Sequence, residues 1–426
     1  MIVRALLTAA SLIAATAATA APIYIYAGRV MAVPGKPVLG PSTIIVDGDR
    51  IIEVRAGHAE PPAGATLLDL RSQTVLPGLI DSHVHLASDR GGEAGLLSFV
   101  REEPRMNALE AQMNGMKTLR AGFTTVRNLG DDGATLALRE AIKRGWVQGP
   151  RIVDAASSIS TTGGHMDGRG GLNDDLVAHL PSPENLCDGV DSCRKVVRRQ
   201  IDRGADVIKF ATTGGVNSGT GLATRMNEDE ARALIDTAHA YGRKVAVHAH
   251  GADGIKLALR AGADSIEHGT VMDDEIIRLM KAKGTYYVPT LSTVNGYLDR
   301  LAANPNAYAP DVKKQIDWRI GITGQSLAKA APAGVKIAFG TDAGVSKHGR
   351  NADEFELMVR YGMTPTEAIK AATVNAADLL GLSSEIGTIE PGKSADLISV
   401  AGDPLSDVRL LKSVGFVMAR GEVIKD

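Results

Sequence analysis

The segment 76–86 (LPGLIDSHVHL) constrains the fold of this chain most, because an apolar run with a Pro-Gly turn ends in two histidines one residue apart. On a β-strand, residues i and i+2 face the same side, so His83 and His85 would project together while Val84 packs behind them. Neutral imidazole is the commonest nitrogen ligand for zinc-like ions, so the pair predicts half of a metal site. A bare His-x-His pair is frequent on protein surfaces; here a buried-type strand precedes it and further candidate ligands follow in regular order.

The size and composition of the chain are ordinary for a soluble globular enzyme. Its 426 residues exceed one average domain and fit an α/β barrel with an accessory domain. Hydrophobic residues make up 44% and charged residues 23%, which is ordinary for a globular enzyme. A net charge of −2 without long charged runs predicts no nucleic-acid partner. Aromatic residues, at 4%, are too scarce for a binder that stacks on a polymer.

Residues 1–20 are predicted to be a secretory signal peptide. Arg4 supplies the positive region, residues 5–18 the apolar core, and Ala18-Thr19-Ala20 a small-x-small cleavage site. The alternative, a membrane anchor, is disfavoured because this segment is too short and too rich in alanine. We therefore expect an exported protein, periplasmic or secreted, with no membrane attachment after the signal is removed.

Two cysteines, Cys187 and Cys193, lie close together in a polar segment. In an oxidising compartment they could form a local disulfide, and two free thiols are an equal alternative.

Both ends of the chain have the pattern of short strands separated by turns. Strands are predicted over 23–26, 43–46 and 50–54, with a hairpin at Asp47-Gly48, and again over 395–400 and 414–419. The two ends, 21–75 and 382–426, are therefore predicted to join into one small β-sandwich domain.

The middle of the chain, 76–381, alternates between strand-like and helix-like segments. Strands are predicted over 74–83, 124–128, 152–155, 207–211, 245–248, 265–268, 286–290 and 336–340. Amphipathic helices are predicted over segments that include 108–121, 230–241, 253–261 and 273–283. This α/β pattern predicts a (β/α)8 TIM barrel, whose active site lies at the C-terminal ends of the strands. A doubly wound sheet is the alternative, but no Gly-x-Gly-x-x-Gly opens a helix after the first strand.

Several predicted strands carry or end in a group that can bind metal or move protons. These groups are His83, His85, Lys209, His248, His250, His268 and Asp342. Each alone is most simply a satisfied polar group, but a purely structural role for all of them at one end of a barrel is hard to explain. A buried lysine is especially costly unless it is neutralised or paired.

These residues and their surrounding motifs resemble the amidohydrolase superfamily of metal-dependent hydrolases. The resemblance rests on PGLIDSHVH at 77–85, Lys209, His248, His268 and GTD at 340–342. Supporting motifs are VRNLG at 126–130, GGHMD at 163–167, GADVIK at 204–209, GMTPTEAI at 362–369 and GTIEPGKSADL at 387–397. Within the superfamily, the chain is most similar to the prolidase-like branch of Xaa-Pro dipeptidases, carboxypeptidase-like enzymes and ochratoxin-hydrolysing amidases.

The resemblance implies a site for two divalent ions, with Zn²⁺ as the expected metal. His83, His85 and Asp342 would hold one ion, and His248 and His268 the other. Relatives are often homo-oligomers, even octamers, and the same is expected here.

The resemblance also implies two special roles. Lys209, carboxylated by CO2 to a carbamate, would bridge the two ions. Two cations would lower the pKa of a water held between them, and that hydroxide would be the nucleophile. Asp342 would take its proton and deliver it to the leaving amine.

Substrate contacts are expected from a further group of side chains. His165 lies in a glycine-rich loop within a long connection after the third predicted strand, and such connections are often functional; the alternative is a loop-anchoring imidazole. His250 follows His248 by two residues and should face the same way. Weaker candidates are Ser88, Val216 and His348.

Two other features allow more than one interpretation. An apolar series could line a pocket for an aromatic group or simply face the core, which we favour. The series comprises Leu291, Val294, Leu298, Ile320 and Ile322. Arg127 could pair with a substrate carboxylate or with Asp131, and the second is favoured.

Together these features predict hydrolysis of the amide bond to a C-terminal amino acid in dipeptides or N-acyl amino acids. Ochratoxin A, which would yield ochratoxin alpha and phenylalanine, is a specific candidate substrate. One alternative is a cyclic-amide hydrolase of the imidazolonepropionase type. Another is a non-catalytic barrel scaffold, which the full set of metal ligands disfavours.

Overall fold

A computed structural model describes residues 21–89, 95, 98, 101–180, 183–217 and 220–426. The predicted signal peptide at 1–20 lies outside the described residues. Within the described part of the chain, no helix combines the length and apolar character needed to cross a bilayer.

The structure mixes α-helices with three β-sheets. The strands β1 to β14 are Ile23–Val30, Ser42–Asp47, Arg50–Ala56, Thr66–Pro77, Leu79–Val84, Phe123–Asn128, Arg151–Asp154, Val207–Ala211, Lys244–Ala249, Ser265–His268, Tyr286–Val288, Leu397–Ala401, Phe416–Ala419 and Glu422–Lys425. The helices labelled α1 to α13 are Met106–Arg120, Ala134–Lys143, Asp174–His179, Val190–Arg203, Glu228–Ala240, Ala252–Ala261, Asp274–Lys283, Thr293–Ala303, Pro310–Gly321, Gln325–Ala330, Asp353–Arg360, Pro365–Lys370 and Ala376–Leu380. A π-helical turn, Ala371–Asn375, connects the last two, and Val408–Lys412 is a 3-10 helix.

Strands from both ends of the chain form one seven-stranded sheet in the order β14-β13-β12-β4-β1-β2-β3. The predicted Asp47-Gly48 hairpin is confirmed, because β2 and β3 pair antiparallel with Asp47 opposite Arg50. Strand β12 pairs antiparallel with β4, which joins the C-terminal strands to the N-terminal ones. Inward side chains of this sheet, such as Ile25, Ile44 and Leu397, pack into a core of their own.

The middle of the chain forms two parallel sheets, β5-β6-β7 and β8-β9-β10-β11. Isolated parallel bridges extend these sheets: Ile159, which follows β7, pairs with Phe210 in β8, and Tyr287 in β11 pairs with Ile337. The predicted strand 336–340 is not regular enough to form an assigned strand. Its backbone still lies between two others, because Ala338 N donates to Tyr287 O (3.0 Å) and Ser82 N donates to Phe339 O (2.9 Å).

The predicted strand 74–83 is in fact two strands separated at Gly78. Pro77 pairs within the seven-stranded sheet, whereas Leu79 pairs with Phe123 in a parallel sheet. A Cβ atom at Gly78 would lie 2.2 Å from Thr124 Oγ1, so only glycine allows this close crossing. The change of sheet places His83 at the end of β5.

Helices pack against the parallel strands and bury them. Ile208 and Val247 from the strands contact a core that includes Leu234 and Ile255 from α5 and α6. Because these strands are buried, their sequences are continuous apolar runs. The Cys187–Cys193 pair, left open by the sequence, is a disulfide at the start of α4, with a Cα–Cα distance of 4.8 Å.

Candidate metal centre

The C-terminal ends of the parallel strands bring the predicted metal ligands together. There are two groups of three side chains in which each residue offers one ligand atom. Within each group, the three ligand atoms lie within 4.8 Å of one another. The first group is His248, His250 and His268, and the second is His83, His268 and Asp342. His268 belongs to both groups, so the two possible metal positions are neighbours.

His83 and His85 are held in defined tautomers by neighbouring acceptors. His83 Nδ1 lies 2.8 Å from Glu267 Oε2, and His85 Nδ1 lies 2.9 Å from the Gly130 carbonyl oxygen. Because carboxylate and carbonyl oxygens only accept, each Nδ1 carries the proton and each Nε2 keeps its lone pair. Both Nε2 atoms lie 3.4 Å from Asp342 Oδ1.

The second pair of predicted ligands is held in the same way. His248 Nε2 donates to the Gly214 carbonyl oxygen (3.2 Å), which leaves Nδ1 as its ligand atom. His268 Nδ1 contacts Thr290 Oγ1 at 2.7 Å. Metal-binding histidines commonly use the second nitrogen in this way to fix the ring.

His250, which was predicted to contact substrate, lies directly beside the metal ligands. Its ring stacks on that of His268, with centroids 4.8 Å apart, and its Nδ1 contacts Thr270 Oγ1 at 2.7 Å. It is therefore also a candidate metal ligand.

Lys209 is a buried amine among these side chains. It is 1% exposed, and its Nζ lies 3.4 Å from His83 Nε2. Burial lowers the pKa of Lys209 to about 8, while the carboxylates of Glu267 and Asp342 oppose the shift. The lowered pKa makes the neutral amine more accessible near pH 7 than it is for a solvent-exposed lysine.

Asp342 follows the segment 336–340, which lies beside β5. Burial raises the pKa of Asp342 to about 7, and the positive charge of Lys209 opposes the rise. A carboxyl group with this pKa exchanges protons readily near neutral pH.

Backbone strain is concentrated at this site. Among the described non-glycine residues, five have a positive φ, and three of them are His268 (69°), Thr290 (47°) and Asp342 (56°). Such conformations cost on the order of 1–3 kcal/mol each and are found mainly at functional sites.

The donor set suits divalent transition-metal ions. Burial lowers the pKa of four of the imidazoles well below the usual value, which keeps them neutral and able to ligate; they are His83, His248, His250 and His268. Imidazole nitrogens combined with a carboxylate are typical ligands of zinc and related ions.

The favoured pairing of Arg127 with Asp131 is wrong. Arg127 is 2% exposed, and its Nη2 donates to Glu267 Oε1 at 2.8 Å. Its Nε donates to the Ser82 carbonyl oxygen, and its Nη1 to Ser265 Oγ at 3.1 Å. Arg127 therefore fixes Glu267, which in turn orients His83.

Two buried acids beside the site, Glu267 and Asp81, were not predicted from the sequence. Asp81 accepts hydrogen bonds from the backbone N–H of His83 and of Thr341, both at 3.1 Å. Burial raises its pKa to about 6. A charged residue inside an apolar strand was the available indication, since such a residue must find a partner.

The predicted substrate contacts lie in different surroundings. The His165 ring stacks on that of His248, with centroids 4.2 Å apart, so it does reach the candidate metal centre. His348 Nδ1 lies 3.3 Å from Thr118 Oγ1, and its Nε2 lies 3.2 Å from the His85 carbonyl oxygen. Because both ring nitrogens contact protein, His348 is better explained as an anchor for the loop after β5.

Two weaker candidates also have structural contacts. The Ser88 carbonyl oxygen lies 3.3 Å from His348 Nε2. Val216 is buried against Tyr297 and Ile316, which line an apolar cluster between the loop after β8 and helices α8 and α9.

The apolar series is divided between core and surface. Leu291 and Val294 are buried, as the favoured interpretation requires, whereas Leu298 is 49% exposed. Ile320 packs against the Val216 cluster.

Comparison with known proteins gives one family and several relatives. The amidohydrolase family model matches residues 74–424. Ochratoxinase from Aspergillus niger is 31% identical over 422 residues, covering 94% of this chain and 86% of that protein. Its crystal structure superposes with a TM-score of 0.82, covering 96% of each chain at 30% identity.

Two further relatives have different names. The crystal structure of a Xaa-Pro dipeptidase with bound methionine in the active site superposes with a TM-score of 0.89 at 39% identity, covering 95% of this chain and 100% of that one. Imidazolonepropionase from Streptomyces griseus is 27% identical over 380 residues, covering 84% of this chain and 85% of that protein.

Proposed function

This chain belongs to the amidohydrolase family, in its prolidase-like branch, and we propose that it uses two divalent ions to release a C-terminal amino acid from dipeptides or N-acyl amino acids. It is a hydrolase acting on amide or peptide C–N bonds. The observation that supports the proposal best is the convergence of neutral imidazoles, one carboxylate and one buried lysine at the ends of the parallel strands.

Six side chains are proposed as metal ligands. His83, His85 and Asp342 would hold one ion, His248 and His268 the other, and Lys209, as a carbamate, would contact both. When bound, divalent ions lower the pKa of water and polarise a carbonyl group. Zn²⁺ is the proposed metal because imidazole and carboxylate ligands suit it.

The carbamate on Lys209 is supported by the state of its amine. Carboxylation needs a neutral amine: the ammonium group first loses one proton, and the amine then attacks CO2 and loses a second, so that a cation becomes an anion. A pKa of about 8 supplies neutral amine at physiological pH. The resulting anion would replace a buried positive charge that is otherwise unfavourable among metal ligands.

Asp342 is proposed to move the proton during hydrolysis. It would accept a proton from the attacking water and donate it to the leaving nitrogen, the role of a general base and then of a general acid. Glu267 keeps the proton of His83 on Nδ1, so that Nε2 faces the reacting groups.

The substrate class is proposed from the relatives. Similarity to ochratoxinase makes ochratoxin A a specific candidate, with ochratoxin alpha and phenylalanine as products. The methionine bound in the dipeptidase structure supports a site that accepts an amino acid. Similarity to imidazolonepropionase keeps cyclic-amide hydrolysis as the second candidate. A non-catalytic scaffold is disfavoured because the ligand set is present.

The architecture, assembly and location of the protein are also part of the proposal. We infer that the two parallel sheets and the segment 336–343 close into a (β/α)8 barrel, because Val84 also bridges Ala343. The seven-stranded sheet would be the β-sandwich domain. Assembly into a homo-oligomer, such as an octamer, and export to the periplasm or beyond are also proposed. The Cys187–Cys193 disulfide supports export, because disulfides persist in oxidising compartments.

Turnover on a substrate panel tests the function. The mature protein, loaded with Zn²⁺, would be given Xaa-Pro dipeptides, N-acyl phenylalanines and ochratoxin A, and in parallel imidazolones, each with and without chelator. Chelator-sensitive release of a free amino acid from a linear amide is expected. Turnover of the cyclic amides alone would favour the second candidate.

A further inference from the structure

Helix α11 begins with a carboxylate that is buried without a cation beside it. Glu354 is 0% exposed, and among the described residues it forms no ion pair. Glu356 on the same helix is partly exposed and lies 2.8 Å from Lys412 Nζ. An apolar side chain would fill the place of Glu354 without the cost of burying a carboxylate. The hydrogen bonds of Glu354 are therefore the property that distinguishes it.

Both oxygens of Glu354 hold the backbone that follows β11. Oε1 accepts from the backbone N–H of Leu291 (2.9 Å), and Oε2 accepts from that of Ser292 (2.6 Å). These donors belong to the two peptide units that flank Leu291, so the carboxylate fixes the orientation of both units. The segment lies between β11 and α8, outside regular strand and helix pairing. The turn 290–292 therefore depends on Glu354 for its shape.

The first residue of this turn contacts a proposed metal ligand. Thr290 Oγ1 lies 2.7 Å from His268 Nδ1, and Thr290 has a positive φ of 47°. Such a conformation is rare for a β-branched residue and persists only where the surroundings hold it. The peptide unit that joins Thr290 to Leu291 is the one whose N–H donates to Glu354. Glu354 thus restrains the residue that orients the imidazole of His268.

A second contact extends from the same turn toward Asp342. Ser292 Oγ donates to the Thr341 carbonyl oxygen at 3.2 Å, and that carbonyl shares a peptide unit with the N–H of Asp342. The N–H of Asp342 donates to the His83 carbonyl oxygen at 2.7 Å. Asp342 also has a positive φ, of 56°. The turn held by Glu354 is therefore connected to ligands of both proposed ions.

Glu354 projects from a firmly placed support. Phe355 and Met358, on the same helix, are 0% exposed and belong to the main core. Asn351, three residues before Glu354, donates from Nδ2 to Asp81 Oδ2 at 2.8 Å. The start of α11 is thus attached both to the core and to β5, so the carboxylate can impose a position on the turn.

We propose that Glu354 is a positioning residue for the metal centre. By holding the turn 290–292, it fixes the orientation of His268 and the position of Asp342. The inference rests on the proposed function and deepens it, because it assigns part of the metal affinity to a side chain that contacts no ligand. Glu354→Gln should weaken metal binding, since its amide has one acceptor oxygen and an NH2 group that would face the second backbone N–H.

The Zn²⁺ affinity of metal-free protein measures this role without turnover. The titration, against a competing chelator, would be made at about pH 8, above the pKa of about 7 that burial gives Glu354. Affinity should be about 10-fold weaker in Glu354→Gln, the lower end of the range for residues that support metal ligands. The control Glu356→Gln, on the same helix, should bind as the wild type does.

The visible absorption of Co²⁺-loaded protein gives a second signal that a merely structural role would not change, because it reports the geometry of the ligands. The spectrum should change in Glu354→Gln and stay the same in Glu356→Gln. Wild-type affinity and spectrum in a less stable Glu354→Gln would show that Glu354 only supports the fold and would overturn the proposal.

A double-mutant cycle tests the connection through Thr290. Thr290→Val removes the hydroxyl and keeps the branched shape, so it should weaken Zn²⁺ binding, whereas Thr290→Ser keeps the hydroxyl and should retain most of the affinity. If Glu354 acts through Thr290, the double variant Glu354→Gln/Thr290→Val should lose less affinity than the product of the two single losses. A loss equal to that product would overturn the proposal.

Hydrogen exchange in the wild type tests the same connection even if Glu354→Gln does not fold. By linkage, a turn that supports ion binding must itself be stabilised when the ions bind. The amides of Leu291 and Ser292 should exchange more slowly after Zn²⁺ is added, by on the order of 10-fold, while those of the β2–β3 hairpin should not change. Unchanged exchange of the two amides in metal-loaded protein would overturn the proposal. A wild type that bound no divalent ion would instead contradict the proposed function itself, which is a different result.

Discussion

Glu267 Oε2 lies 2.8 Å from His83 Nδ1, and both side chains are fully buried. The other oxygen, Oε1, accepts hydrogen bonds from Arg127 and from Ser265. Both oxygens of the carboxylate are thus hydrogen-bonded, and its position fixes both the ring and the tautomer of His83.

We predict that Glu267→Gln weakens metal binding by about 10- to 100-fold. A glutamine amide has one acceptor oxygen, so it can accept from His83 or from Arg127 but not from both through separate oxygens. Titration of the metal-free protein with Zn²⁺ against a competing chelator would measure the change. Glu275→Gln, which removes an exposed surface partner of Lys256, is the control and should bind metal as the wild type does. Unchanged affinity in Glu267→Gln would refute the role of Glu267.

Lys209→Met should lower kcat by at least about 1,000-fold while the protein stays folded. Methionine fills a similar volume without an amine, so the apolar core is kept while the carbamate is lost. Turnover, metal content and thermal unfolding would be measured together, and the intact mass of the wild type would be compared in bicarbonate and in CO2-free buffer. A variant that held two ions and kept the wild-type rate would contradict the carbamate assignment.

Asp342→Asn should keep part of the metal and lose turnover. An amide oxygen can still ligate, but the amide cannot accept or deliver the proton, a contribution of about 100- to 10,000-fold in rate. Pre-steady-state and steady-state rates would be compared at equal metal occupancy. A kcat within a few-fold of wild type would show that another group moves the proton.

Glu354 should contribute stability at low pH that is lost as pH rises. This carboxylate accepts from the backbone N–H of Leu291 (2.9 Å) and of Ser292 (2.6 Å), and burial raises its pKa to about 7. Its pKa in the unfolded chain is near 4.5, so the folded state binds the additional proton between these values. The stabilisation is complete below about pH 4.5 and is lost as pH rises through about 7.

Comparison of wild type with Glu354→Gln isolates this effect. Between pH 4.5 and 8, the free energy of unfolding of the wild type should fall by about 3 kcal/mol relative to the variant. Urea unfolding at several pH values would measure it. Glu356→Gln, on the same helix, is the control: Lys412 lowers the pKa of Glu356, so no such relative fall is expected. Parallel pH curves for wild type and Glu354→Gln would contradict the prediction.

Much of the fold could be predicted because the relevant patterns are local. Alternating and continuous apolar runs predict strands. The predicted strands 207–211 and 265–268 agree with β8 and β10 at both ends. The i, i+2 spacing of His83 and His85 likewise follows from the strand repeat. The break at Gly78 was missed because it depends on contact with Thr124, which is distant in sequence.

The parts of the site that were missed depend on partners far along the chain. Arg127 meets Glu267 across 140 positions, whereas the predicted partner, Asp131, was chosen because it lies nearby in sequence. Long-range pairing of buried charges leaves no periodic pattern in the sequence, so only the folded structure could reveal these contacts.

The most direct test of the central claim is a metal titration in which bound ions and turnover are followed in the same sample. Metal-free mature protein would receive increasing Zn²⁺ with an N-acyl-L-phenylalanine as substrate, and both phenylalanine release and ions per chain would be recorded. We predict that activity rises with occupancy up to two ions per chain and disappears when chelator removes them. Full turnover in metal-free protein, or two bound ions with no cleavage of any linear amide, would contradict the account.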